Sequence, residues 1–99
     1  MEIKGRMDQG VIRVTLAGRL DYQNAMKAEQ AFLHYAESGS VFALDFRDVE
    51  LISSAGVRAL LTLYRCVDEK GGSVTIEKAP EQVVDVLKET GFAELFHLI

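Results

Sequence analysis

What the chain has little of narrows its function before any motif is read. Its one cysteine, Cys66, has no partner for an internal disulfide, and one thiol is too few for a zinc site. Lying just off the apolar stripe of a predicted helix, it reads as a half-buried structural thiol. No apolar run approaches the roughly 20 residues that span a bilayer, and no signal-peptide pattern opens the chain. The expected setting is therefore cytoplasmic, with no direct membrane insertion. Cations are outnumbered, 11 Lys and Arg against 15 Asp and Glu, for a net charge of −4. A nucleic-acid face needs clustered Lys and Arg, and no basic run occurs, so no nucleic-acid partner is expected. The 99 residues suit a single domain over residues 1–99, with enough chain for one core and little to spare. No repeats, linkers or low-complexity segments divide it.

The constellations of catalysis are missing too. A nucleophile elbow needs glycine two residues to either side of its serine; Ser54 has Gly56 after it but Ile52 before it. His34 falls late in a predicted helix, roughly 15 Å from that helix's amino end, and so points away from Ser54. His97 lies in the tail without an evident partner. Neither Gly-x-Gly-x-x-Gly nor a P-loop pattern occurs. Asp45 and Asp48 read as shaping an open sheet face and a turn, respectively, not as metal ligands. The expectation is a protein that is not an enzyme and carries no cofactor.

What is present is a regular alternation of strands and helices. Glu2–Met7 and Val11–Ala17 alternate in polarity about the turn Asp8-Gln9-Gly10, which predicts an antiparallel hairpin whose second strand Gly18 ends. Asp21 is placed to cap a helix from about Tyr22 to Glu37, with Ala25, Ala28, Phe32 and Tyr35 on its buried face and Ser38-Gly39-Ser40 at its end. A strand over Val41–Phe46 follows, then a polar connection at Arg47–Asp48 and an apolar patch at Leu51–Ile52. From Val57 the period changes: Val57, Leu60, Leu61, Tyr64 and Val67 make one helical stripe, which Gly71-Gly72 ends. Ser73–Glu77 alternates as another strand, and Pro80 precedes a helix over Glu81–Glu89 whose Val83, Val84 and Leu87 face inward. Phe92 to Ile99 is an apolar tail that must pack. The order β-β-α-β-α-β-α plus tail predicts an α/β fold. Its mixed four-stranded sheet is a hairpin followed by two βαβ crossovers, with helices packed mainly on one face.

The stretch Val41–Leu63 carries the functional signal. Ser53, Ser54, Ala55 and Gly56 lie at a helix start, where backbone N–H groups lack intrahelical partners and the dipole is positive. A phosphate suits such a place, bound or covalently attached. A serine before a helix is ordinarily an N-cap. Two in a row divide the work: if Ser53 caps, Ser54 in the first turn keeps a free, outward hydroxyl. Gly56, with no side chain, is expected to let another protein's backbone come close. Parallel neighbouring strands bring their carboxyl ends to one sheet edge, so Asp21 and Ser54 should share a surface.

Two segments carry a family resemblance. Asp-Phe-Arg-Asp-Val-Glu-Leu-Ile-Ser-Ser-Ala-Gly-Val-Arg, Asp45–Arg58, resembles the signature of the STAS domain, the fold of bacterial anti-sigma-factor antagonists. Leu16–Ala25 is similar to the family's Gly-x-Leu-Asp segment, and the order of elements agrees over nearly the whole chain. The resemblance implies a domain that, unphosphorylated, binds an anti-sigma factor that is also a serine kinase, and so frees the sigma factor. The kinase then phosphorylates the domain, and a metal-dependent serine phosphatase restores it. The family's phosphoacceptor lands on Ser54 and its partner-lining aspartate on Asp21, with Ser53, Ala55, Gly56 and Arg58 on the same surface. At Ser53 many phosphorylated members have aspartate, which leaves Ser53 as the alternative acceptor. Short STAS proteins also serve as cytoplasmic subunits of lipid-transporting ABC systems, docking the same helix edge on an ATPase. Others are non-switching scaffolds or domains of larger sensors. An end at Ile99, where many antagonists continue into another helix, is compatible with these roles.

Overall fold

The computed structural model describes residues 1–99. The hairpin strands are β1, Glu2–Asp8, and β2, Val11–Leu20. Then come α1, Tyr22–Ala36; β3, Val41–Ile52; α2, Ser54–Asp68; β4, Ser73–Glu77; and α3, Glu81–Glu89. A 3₁₀ turn at Ala93–Leu95 leads into the short β5, His97–Leu98. The sheet runs β1-β2-β3-β4-β5, antiparallel between β1 and β2 and parallel elsewhere. The mixed α/β architecture is the expected one with five strands in place of four. The apolar tail packs by adding a strand: Phe96 is buried, and the Ile99 amide and carbonyl bond to the Ile76 carbonyl and the Lys78 amide at 3.0 and 2.9 Å.

One core lies between the sheet and its helices. Phe42, Leu44 and Phe46 of β3 join Phe32 of α1, Leu60 and Leu63 of α2, and Leu87 of α3 in a single buried cluster. Burying each such side chain contributes about 1.5–3 kcal/mol. All three helices therefore cover the same sheet face, as right-handed parallel crossovers require. The other face carries charge: Arg13 pairs with Asp8 at 3.2 Å and with Glu77 at 3.6 Å. Ala43, which alternates with Phe42 and Leu44 onto this face, is only 7% exposed. Its ladder neighbours Arg13 and Thr75 stand taller and cover it.

The larger difference concerns β3. Its twelve residues form one strand, so Arg47 and Asp48 belong to the sheet and Asp48 shapes no turn. Two register shifts against β2 explain the broken alternation. Thr15 to Ala17 spans two residues where Asp45 to Asp48 spans three, and Gly18 to Arg19 spans one where Val49 to Leu51 spans two. Each bulge slips the strand by one side chain, so the buried positions run Phe42, Leu44, Phe46, Val49, Ile52. The first bulge frees the Arg47 amide, which donates to Asp45 Oδ1 at 2.9 Å. Gly18 does not end β2. With φ of +114° it lets the strand continue to Leu20 alongside the longer β3. This extension carries β2 and β3 to a common end.

Candidate functional site

The site is assembled where β2 and β3 run out together. Leu20 pairs with Ile52, and the Ser53 amide donates one more bond to the Leu20 carbonyl at 3.1 Å. Each strand passes directly into a helix, so Asp21 and Ser53 stand at the same sheet edge as the N-caps of α1 and α2. Both backbones are extended there, as a cap requires. Asp21 Oδ1 accepts from the Asn24 amide and from Asn24 Nδ2, each at 3.3 Å, and Oδ2 lies 3.6 Å from Arg19 Nε. With its side chain only 21% exposed, that carboxylate is occupied mainly in holding its own helix and neighbouring arginine.

The two serines separate as their positions demand. Ser53 Oγ accepts from the Gly56 amide at 3.4 Å and closes the α2 cap. Ser54 is the first helical residue; it takes no part in that cap and its side chain is exposed. The stability of the two alanine variants should differ accordingly. Ser53→Ala should cost about 0.5–2 kcal/mol in denaturant unfolding, and Ser54→Ala clearly less. The reverse order would assign the cap to Ser54.

Gly56 departs from its expected role. It is buried, and a Cβ there would run into the Leu20 carbonyl oxygen, with Ile52 Cγ1 at 2.8 Å and Leu20 Cγ at 2.9 Å. The glycine is thus required for the domain's own close packing of α2 against the end of β2, and it offers no backbone to a partner. Ala55 is half-buried, and Arg58 is exposed one turn above Ser54.

Beside Ser54 runs an open groove between α1 and α2. Ala25, Ala55 and Ala59 form its floor, and Ser54 and Arg58 stand on the α2 side. The α1 side is Tyr22, Met26 and Glu29. Tyr22 is 85% exposed and Met26 68%, and the two stand together on one rim of this groove. The sequence reading missed both. Their signal was phase: one turn apart on α1, they lie off the stripe Ala28, Phe32, Ala36 that the core buries. His34 and His97 are both exposed, His34 with Nδ1 3.6 Å from Glu37, and neither lines the groove.

The chain belongs to the STAS domain family: the family model described as "Mlab, STAS domain" matches residues 3–99. The anti-sigma-B factor antagonist of Bacillus subtilis is 23% identical over 93 residues, covering 94% of this chain and 85% of that protein. An anti-sigma factor antagonist from Mycobacterium paratuberculosis, 25% identical, superposes with a TM-score of 0.82 and covers 98% of this chain and 83% of its own. The Bacillus cell fate determinant SpoIIAA in its phosphorylated form shares the fold at 14% identity. Its TM-score is 0.76, with 99% of this chain and 91% of that one covered.

Proposed function

We propose that this protein is an anti-sigma-factor antagonist whose binding surface is the α1/α2 groove and whose switch is Ser54. Unphosphorylated, it binds an anti-sigma factor with serine kinase activity and releases the sigma factor into transcription. Phosphorylation ends that binding, and a serine phosphatase restores it. The domain acts in the cytoplasm as a binding module and not as an enzyme. The observation that carries this reading is the division between the two serines: Ser53 spends its hydroxyl on the cap, while Ser54 stays exposed at the rim of a groove lined by Tyr22 and Met26. The antagonist relatives support the same role.

The modification is a simple transfer. The Ser54 hydroxyl oxygen bonds to the γ-phosphorus of ATP, the bond from that phosphorus to the β-phosphate oxygen breaks, ADP leaves and the hydroxyl proton is released. In mass-spectrometric mapping after incubation with ATP and the cognate kinase, phosphate should be found on Ser54 and be lost in Ser54→Ala. Phosphate confined to Ser53, with Ser54→Ala still modified, would sink the assignment.

A second reading has its own support, because the matching family model is that of the Mlab STAS domain. In it the same groove docks on the ATPase of a lipid-transporting ABC system and Ser54 needs no phosphate. The partner decides between the two: stable co-purification with a permease–ATPase pair, and no binding to an anti-sigma kinase, would select the transporter subunit.

A further inference from the structure

Arg58 is the free cation of the Ser54 surface. Arg6, Arg13, Arg19 and Arg47 each have a carboxylate within 4.0 Å, supplied by Asp8, Glu77, Asp21 or Asp45. Arg58 and Arg65, both exposed, have none, and of the two only Arg58 borders Ser54. It borders open space on both flanks of α2, together with Ser54 in each case. One flank is the groove against α1, and the other is a shallow cleft edged by Thr90 and Phe92. The α1 groove contributes Glu29 and Tyr22 as its other ionisable groups, and the cleft beyond α2 contributes none.

The spacing gives Arg58 a direction. Residues four apart on a helix are neighbours on one face, about 5–6 Å between Cβ atoms. Helical side chains lean toward the amino end, so a long side chain at the later position covers the earlier one. Extended in this direction, the Arg58 guanidinium comes within range of a group carried on Ser54.

We propose that Arg58 is the clamp for a phosphate on Ser54: its guanidinium, unpaired in the unmodified domain, folds back one turn and donates hydrogen bonds to the phosphate oxygens. This deepens the switch reading and rests on it. The guanidinium fork matches a phosphate in two-point contact, which an ammonium does not. Clamping removes from the groove the one arginine a partner's carboxylate can pair with, in the same event that adds negative charge. The modified surface then differs from the unmodified one in two ways from a single phosphate.

The test uses the full chain with phosphoserine installed genetically at position 54, so it needs neither the kinase nor the partner. In a ³¹P NMR titration at low salt, the second ionisation of the phosphate, ordinarily near pH 6, should move upward by roughly 0.3 of a pH unit or more in Arg58→Gln. Arg58→Lys should fall between the two, and Arg65→Gln, two turns further along α2, should match the parent. The Arg58 Nε–H resonance should shift on phosphorylation and return as the phosphate is protonated. Identical titrations for the parent and Arg58→Gln, with Nε–H unmoved, would overturn the clamp. Failure of Ser54 to accept phosphate from a kinase would overturn the switch reading instead, and the two failures are read in separate experiments.

Discussion

Replacing Gly56 by alanine should destabilise the domain by at least about 2 kcal/mol, although glycine-to-alanine inside a helix ordinarily gains about 1 kcal/mol. The added methyl meets the Leu20 carbonyl oxygen, and two apolar side chains lie within 3.0 Å behind it. None of these can yield easily. The Leu20 carbonyl already accepts the Ser53 amide at 3.1 Å, Leu20 is fully buried, and Ile52 is its ladder partner. Relief needs α2 to lift from the end of β2, and that loosens the helix start that holds Ser53 and Ser54. For a domain of this size, 2 kcal/mol corresponds to a fall of about 10 °C or more in Tm. Thermal unfolding by circular dichroism measures it. A Gly56→Ala variant as stable as the parent would mean that α2 shifts freely at its amino end, and the glycine would then need another explanation. The same clash gives the opposite expectation to a partner-facing glycine, whose replacement would leave Tm alone and weaken binding only.

Gly56 also marks where sequence reasoning stops. Composition, period and capping residues are local, and they were sufficient for the hairpin, for the three helices and for the caps at Asp21 and Ser53. Which side of a helix start faces in depends on what lies beneath it, here the extension of β2 to Leu20 past a glycine that reads as a terminator. The bulges in β3 are of the same kind. A strand that slips phase twice shows no period of two over its length, so Val41 to Ile52 reads as a strand, a polar connection and a stray apolar patch. Only pairing with β2 makes it one element. The tail gave no register because β5 has two residues and takes its place from β4. Tyr22 and Met26 were legible in principle as a pair one turn apart and out of phase with the core stripe, which marks the exposed side of α1.

On the switch proposed above, phosphorylation of Ser54 should weaken binding to a cognate anti-sigma kinase at least about 100-fold, with little change in the fold. The charge added is about −1.5 to −2 at neutral pH. Within the free domain that charge is tolerated. It sits at the start of α2, where the dipole favours an anion by about 0.3–1 kcal/mol, and Arg58 stands one turn away. A docked partner meets a different situation. It must cover the phosphate, which a single guanidinium leaves with net negative charge, and it must do so beside Glu29, with Arg58 already engaged. Asp21 adds little to this repulsion, because its carboxylate caps α1 and faces Arg19. Burying an uncompensated charge costs several kcal/mol, and each 1.4 kcal/mol is tenfold in affinity, so two decades is the smaller end of the effect. Calorimetric titration of the kinase with the modified and unmodified domains measures the loss. Amide chemical shifts of the free domain should move only around residues 20–23 and 53–58, because exclusion at the surface requires no rearrangement below it. Shifts spread through β3 and β4 would make the switch conformational, whereas an unchanged affinity would reduce Ser54 to a passive part of the docking surface.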